Sequence, residues 1–477
     1  MRKIKDIFKN KKVLLVGLGI LGGGVSTALW FLKHKAKLTI TDLKSKEYLK
    51  KSIDKLKKYQ KQIKYVLGKH CFSDFKSNDF IVVNPAVKTL DNPYLNYAKK
   101  YKKPIENDLS LLFRLTDNLK ICITGTRGKT TTTNWIYTFI KSKYKNSLIG
   151  GNIPESPIFS LIDKIKKDSP IILETSCFQL ELLRDAPKIA VITNLYEDHL
   201  NRYKTMKNYA NVKANIFKYQ TPQDFLVLNY DNLWTKYFLS LKPKSKIYFF
   251  SKKPLPKNQN GIYLKKTKIY FQENNKKTFI YNAYNFTKKW GEHNLLNLIT
   301  AMLIAKLFGL NFKEIIKQIP HLPQIKMRQE LVFENKKIKI INDSAGTSPE
   351  AGIAALNRFQ KEKKNLILIT GGTDKNLNFK DFALKIKKTI KPENLILLNG
   401  SATKKLLNHL EKIKYSKNYN IFESLNECLS FSLFLSSKIK KSSIIIFSPA
   451  SASFEKFKNE FDRGEKFNLL VKNLLNK

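Results

Sequence analysis

The chain has 477 residues, too many for one hydrophobic core and suited to about three domains of ~150 residues each. Its 42% hydrophobic and 12% aromatic content can fill such cores, which excludes an intrinsically disordered chain despite a formal charge of +50. The 88 basic residues are mostly Lys, spread along the whole length and mixed with Asn and Ile, so they describe a solvated cationic surface that attracts small anions rather than a localised nucleic-acid patch.

In chain order, the first feature is Val13 to Leu32, an uncharged run after a basic N-terminus, as in a signal peptide or membrane helix. Gly17, Gly19, Gly22, Gly23 and Gly24 crowd it, and Lys37 to Asp42 follows as a short strand ending in an acid. The predicted arrangement is strand, glycine-rich turn, helix, strand, the start of a nucleotide-binding βαβ unit. Strands are predicted at Val13–Val16, Leu38–Thr41 and Ile81–Val83, with a Lys-rich helical stretch over Leu49–Tyr65, so residues 1–114 read as a Rossmann-like domain. The spacing Gly17-x-Gly19-x-x-Gly22 suits a nucleotide diphosphate as well as NAD.

A second domain, residues 115–319, opens with the strand Ile121–Ile123 and the run Thr124-Gly125-Thr126-Arg127-Gly128-Lys129-Thr130-Thr131-Thr132, which begins a helix. Glycines let a backbone turn tightly and present N–H groups, the helix start adds partial positive charge, Lys129 can reach phosphate oxygens and Thr130 can hold Mg²⁺. Only Thr126 and Arg127 separate Gly125 from Gly128, where the common nucleotide loop has four residues, so this is a shorter cradle. Strands Ile171–Glu174 and Ala190–Asn194 end in polar residues, at the strand ends where open α/β sheets place ligands. The stretch Lys242–Trp290 alternates apolar and polar residues and is predicted to form antiparallel ribbons. A third domain, residues 320–477, carries predicted strands Ile338–Asn342, Leu366–Thr370, Leu395–Leu398 and Ile444–Ser448, a doubly wound α/β unit. Cys71, Cys122, Cys177 and Cys428 have no paired spacing, so neither a zinc ribbon nor a disulfide framework is expected, and a reducing cytoplasm fits.

The phosphate loop is followed by Gly150-Gly151-Asn152-Ile153, Glu174-Thr175-Ser176-Cys177-Phe178-Gln179-Leu180-Glu181, Asn194-Leu195-Tyr196-Glu197-Asp198-His199-Leu200-Asn201-Arg202 and Tyr209-Ala210-Asn211-Val212-Lys213. Further on come Gly291-Glu292-His293-Asn294, Met327-Arg328, Asn342-Asp343-Ser344, Gly371-Gly372-Thr373-Asp374-Lys375 and Ser448-Pro449-Ala450-Ser451-Ala452-Ser453. In order and spacing these resemble the Mur ligase family over essentially the whole chain. The resemblance implies three α/β domains and an ATP-dependent, ADP-forming amide ligase of cytoplasmic peptidoglycan precursor synthesis. ATP would phosphorylate the carboxylate of UDP-N-acetylmuramoyl-L-alanine, and the amine of D-glutamate would displace phosphate from the acyl phosphate. Such transfer between anions needs cationic clamps and positioning above all.

Carried over position by position, the resemblance implies ATP contacts from Gly125, Thr126, Gly128, Lys129, Thr130 and Thr131, with Asn294, Asn297, Arg328 and Asp343 on the adenosine side. It implies two Mg²⁺ sites built from Thr130, Glu174, His199 and Lys213, the last carbamylated, and catalytic roles for Lys129, His199 and Lys213. The UDP-sugar would meet Gly19, Ile20, Leu21, Gly22, Asp42, Lys44, Asn84, Pro85, Asn152, Ser176, Gln179 and Arg202. D-glutamate would meet Thr347, Lys375, Ser453 and Phe461. The chain departs from the family pattern at Leu21 and Asn84, which stand for Thr and Ser, and at Ala345, where Lys is usual. A monomer without membrane or specific nucleic-acid partner is expected. The competing readings are a related ligase taking another amino acid, a nucleic-acid-stimulated ATPase suggested by the charge, and an NAD-dependent dehydrogenase, which leaves the second loop unexplained.

Overall fold

The computed structural model describes residues 7–20 and 22–475 and divides into two compact units, residues 1–282 with 296–322, and residues 283–295 with 323–477. Leu21 lies outside the described residues.

The first unit holds two sheets. The N-terminal sheet is parallel throughout, in the order Ile63–Leu67, Lys37–Asp42, Lys12–Val16, Phe80–Val83, Ile105–Glu106. This strand order reverses beside Lys12–Val16, and the crevice at such a reversal is where open α/β sheets bind ligands. Gly17–Gly22 leaves one strand of the crevice and Asn84–Thr89 the other. The uncharged run from Val13 is therefore strand, turn and the helix Gly23–Lys33, and among the described residues no helix is long and apolar enough to cross a membrane.

The expected helical stretch over Leu49–Tyr65 is corrected. The helix is Lys46–Asp54, started by the Ser45 side chain accepting from the Tyr48 N–H, and Ile63–Leu67 is an edge strand. Its Ile, Tyr, Val and Leu suit a half-buried pleated surface, and pairing with Lys37–Asp42 outweighs the local Lys-rich helical pattern.

The second sheet of this unit has nine strands with Lys120–Thr124 between Ile171–Glu174 and Ile189–Ile192, all parallel. The phosphate loop, Glu174–Ser176 and Thr193–His199 consequently emerge at one edge. The ribbon expected over Lys242–Trp290 is correct only in its middle: Gly261–Lys265, Lys268–Glu273 and Lys276–Asn282 are antiparallel, but Lys246–Ser251 is parallel to both neighbours and Tyr284–Trp290 is a helix. An alternating pattern reports a half-buried strand, not the direction of its partner. One apolar core runs through both sheets' covering helices. Trp30 and Phe31 of the helix Gly23–Lys33 meet Phe159 of the central sheet's helix Ile158–Ile162 at ring distances of 5.2 and 5.8 Å.

The second unit carries a six-stranded sheet in the order Glu330–Glu334, Ile338–Asn342, Ser443–Phe447, Asn365–Gly371, Leu395–Leu398, Asn420–Phe422. All pairs are parallel except the first, an antiparallel edge that the sequence pattern did not announce. Apolar clusters cover both faces. Asp343, Gly371–Lys375 and Ser448–Ser453 follow the carboxyl ends of its central strands.

Candidate active site

In the first unit, the loop between Lys120–Thr124 and the helix Lys129–Lys143 is shaped by its neighbours. Gly125 has φ +147°, and a Cβ there would stand 1.9 Å from Thr193 Oγ1; Gly128 has φ +81°, and a Cβ there would stand 2.6 Å from Asn297 Oδ1. Asn194 Oδ1 accepts from the Arg127 N–H at 2.9 Å, and Thr193 Oγ1 donates to the Arg127 carbonyl at 2.7 Å. The loop is thus held open at the start of a 15-residue helix, where backbone N–H groups and the helix dipole favour an anion. Lys129 Nζ curls back to the Gly125 and Thr126 carbonyls at 3.0 and 3.3 Å, a weak tether that a phosphate can replace. Thr130 and Thr131 begin the helix, and Thr132 Oγ1 donates to Asn297 Oδ1 at 3.2 Å, so Asn297 lies against the loop itself. Gly128→Ala is expected to lower stability by about 1–3 kcal/mol and weaken ATP binding together, through backbone strain and the clash with Asn297. Thermal unfolding and nucleotide titration measure both.

Lys213, on the helix Met206–Ala214, is 1% exposed. Its ammonium reaches Thr124 Oγ1 at 3.3 Å and the Gly125 carbonyl at 3.2 Å, and lies 4.8 Å over the Tyr209 ring. Burial pulls its pKa down from 10.5 to about 7, and Lys129 adds to the fall. Burial thus favours the neutral amine near physiological pH. The Tyr209 ring also faces His199, at 6.0 Å, and its hydroxyl is 3.5 Å from Thr126 Oγ1. Lys129, Lys213 and His199 therefore share one neighbourhood, linked through Gly125 and Tyr209. His199 has φ +56° and caps the short helix Leu200–Tyr203, with Nε2 3.6 Å from Asp198 Oδ2 and its ring against Phe178 at 4.9 Å.

Glu174 is 3% exposed. One carboxylate oxygen accepts from Asn152 Nδ2 at 3.1 Å; the other is buried with no hydrogen-bond partner. A buried anionic oxygen without a donor fits a hard cation. Among the described residues no three His, Cys, Asp or Glu gather to hold a metal. A Mg²⁺ here would lean on few protein groups, as this ion usually does when phosphates and waters complete its shell.

Several residues expected at the sugar-nucleotide site have structural partners. Asp42 Oδ2 accepts from the Leu18 and Gly19 N–H groups at 2.9 and 3.1 Å, and Oδ1 from the Lys44 N–H at 2.9 Å, so it braces the glycine turn. Ile20 is half exposed, the Lys44 ammonium lies 5.2 Å over Tyr48, and Asn84 and Pro85 line the opposite side of the crevice. Gly22 precedes the helix Gly23–Lys33 with φ +95°. Ser176 and Gln179 form a reciprocal capping box, and Gln179 Nε2 donates to Asp108 Oδ2 at 2.9 Å. Arg202 is paired with Glu181 at 2.7 Å. Glu181 is a residue that sequence reasoning quoted but left without a role; a lone acid 21 positions from its arginine gives no local signal.

In the second unit, Arg328 stands between Met327 and Gln329, both with positive φ, and the Gln329 N–H donates to Asp343 Oδ1 at 3.0 Å. Asp343 Oδ2 accepts from Ser448 Oγ at 2.7 Å, and burial raises its pKa to about 7. Asn294 Nδ2 donates to the Trp290 carbonyl at 2.8 Å. Lys375 Nζ reaches Thr347 Oγ1 at 3.3 Å, and Ser453 Oγ is buried without a hydrogen-bond partner. Phe461 is half-buried in the first turn of the helix Glu460–Leu475, where Asn459 Oδ1 accepts its N–H. Sequence reasoning missed Arg463, which is fully buried and donates to Ser344 Oγ and to the Ser344, Ser451 and Ala452 carbonyls at 2.8–3.1 Å. The rarity of Arg in this Lys-rich chain was the available clue.

Residues 123–305 match the Mur ligase middle domain, and residues 11–106 match the N-terminal domain of the MurD-like Mur ligases. The chain is 38% identical over 468 residues to UDP-N-acetylmuramoylalanine–D-glutamate ligase of Borreliella afzelii, covering 98% of each chain. It is 34% identical over 471 residues to the ligase of the same name in Clostridioides difficile, covering 98% of this chain and 99% of that one. Among solved structures, UDP-N-acetylmuramate-alanine ligase of Thermotoga maritima shares the fold with a TM-score of 0.58 at 19% identity, over 97% of this chain and 100% of that one. The MurF ligase of the same organism, solved with ADP, aligns with a TM-score of 0.54 at 16% identity over 92% and 95%.

Proposed function

The chain belongs to the Mur ligase family, and on that premise we propose that it joins D-glutamate to UDP-N-acetylmuramoyl-L-alanine at the expense of ATP, a step of peptidoglycan precursor synthesis. The observation that carries this reading in the fold is the cluster of the phosphate loop, Lys213, His199 and Glu174 at one edge of the central sheet. We place the domains at residues 1–114, 115–319 and 320–477, for the UDP-sugar, ATP and the amino acid.

The loop's N–H groups and Lys129 hold the ATP phosphates, Lys129 exchanging its carbonyl tethers for phosphate oxygens. Thr130, Glu174, His199 and Lys213 are the residues that would hold Mg²⁺, which supplies charge neutralisation between the γ-phosphate and the acceptor carboxylate. Lys213 takes that part as a carbamate. The ammonium first gives up one proton, its neutral amine attacks CO₂, a C–N bond forms as one C=O π pair moves onto oxygen, and a second proton leaves the nitrogen. The group that began as a cation ends as an anion. The uncharged amine that this needs is favoured by burial. The sugar nucleotide occupies the crevice between Gly17–Gly22 and Asn84–Pro85, its diphosphate facing backbone N–H groups. In the C-terminal unit Lys375, Thr347 and Ser453 grip the carboxylates of D-glutamate, whose amine displaces phosphate from the acyl phosphate. Work in the cytoplasm accords with these nucleotide substrates, and the chain is taken to act as a monomer.

Phosphate release from ATP with UDP-N-acetylmuramoyl-L-alanine tests the reading. D-glutamate is expected to support it on the order of 10²-fold better than L-glutamate, because the wrong enantiomer leaves buried polar groups unpaired. Release stimulated by polynucleotide, and not by any amino acid, would refute it.

A further inference from the structure

Glu181 follows the short helix Cys177–Leu180, and its side chain is 1% exposed. It accepts four hydrogen bonds: from Arg202 Nε at 2.8 Å and Nη2 at 2.7 Å, from the Tyr203 hydroxyl at 2.8 Å, and from the Thr89 hydroxyl. Arg202 also donates through Nη1 to the Ala86 carbonyl at 3.1 Å and through Nη2 to the Val87 carbonyl at 2.8 Å. Its guanidinium lies 4.4 Å from the Phe178 ring centroid. Most of the guanidinium fork is thereby spent on protein acceptors, which leaves it little with which to hold a ligand.

The two ends of this clasp reach the two ends of the reaction. Ala86, Val87 and Thr89 belong to the turn that walls the sugar-nucleotide crevice, and Val87 packs so closely on the glycine turn that a Cβ at Gly17 would stand 2.7 Å from it. Arg202 and Tyr203 belong to the helix capped by His199, and Phe178, beneath the guanidinium, presents to the His199 ring at 4.9 Å.

We infer that Glu181 and Arg202 are a positioning pair that sets the distance between the bound sugar nucleotide and the His199 end of the site, Arg202 acting through the Ala86–Val87 carbonyls and not as a substrate contact. This rests on the ligase reading above. The pair is bidentate and largely buried, so an amide in place of the carboxylate, or an ammonium in place of the fork, breaks its geometry without removing its bulk.

Glu181→Gln and Arg202→Lys in the full chain test it. Each is expected to raise the KM for UDP-N-acetylmuramoyl-L-alanine by at least about tenfold and lower kcat, with ATP affinity, titrated without acceptor, within about twofold of the parent; the double variant should be no worse than the poorer single one. Amide exchange across residues 84–90 should quicken at least about tenfold in Glu181→Gln, and Arg202→Lys carries the same measurement if that variant does not fold. A normal KM in Glu181→Gln beside an impaired Arg202→Lys would mean that Arg202 touches substrate, and would overturn the inference. So would unchanged exchange, or a loss shared equally by acceptor and ATP. Turnover by the parent enzyme separately reports the ligase reading, while the exchange measurement decides the clasp whatever the substrate.

Discussion

Lys213→Ala is expected to lower ligase turnover by about 10²–10³-fold, the scale of losing one charged group from a water-excluded site. Acetate or formate should restore part of the loss by supplying the missing carboxylate, and isotopically labelled bicarbonate should give a carbamate signal in the parent that the variant lacks. Turnover should also rise with pH through about 7, where the amine loses its proton. In the protein whose Lys213 is unmodified, the same titration affects stability with a definite sign. The folded pKa lies below the unfolded 10.5, so between about 7 and that value the unfolded chain binds a proton that the folded chain does not, and stability grows with pH across that window. Below it the folded protein carries a buried ammonium, and the slope from this group vanishes. A turnover indifferent to CO₂ depletion, and no rescue, would remove the carbamate from the account.

Glu174→Gln is the second large effect, with an expected loss of turnover of about 10²–10³-fold. The parent's buried carboxylate has one oxygen satisfied by Asn152 and one without a donor. The amide keeps the first interaction and abolishes the anionic site for a cation. Thermal unfolding therefore distinguishes them: Mg²⁺ added to the ATP-bound parent should raise its midpoint, and the same addition should leave the variant nearly unmoved. A parallel rise in both would show that the ion binds elsewhere, through ATP alone.

What was legible in the sequence was whatever the chain encodes locally. Glycines set between an apolar strand and a helix marked both glycine turns, and a polar residue closing an apolar run marked Glu174 as a strand end, while the strand expected to reach Asn194 stops at Ile192. The edge strand Ile63–Leu67 was hidden because its Lys-rich approach imitates a helix and only its neighbour Lys37–Asp42 decides the matter. Side-chain roles hid for a similar reason. Ser176 and Gln179 fit a ligand site by position, yet their spacing of three is also that of a capping box. Arg202 was expected to meet the sugar nucleotide, but Glu181 and two carbonyls supply its acceptors. Asp343 gave no hint of the burial that lifts its pKa to about 7, nor of the distant Ser448 hydroxyl whose hydrogen bond opposes that rise.

The shared apolar core of the first unit sets a timetable for synthesis. Trp30 and Phe31 find Phe159, and Trp30 and Lys33 find Asp163, only when a later stretch of chain has emerged. At about 5–20 residues per second, the roughly fifty residues between the end of the first domain and Asp163 take a few seconds to follow it out of the ribosome. For that interval Trp30 and Phe31 keep the Phe8 ring but lack the Phe159 side of their packing. A chaperone, or faster translation of the intervening stretch, would govern how much of each new molecule reaches its native state.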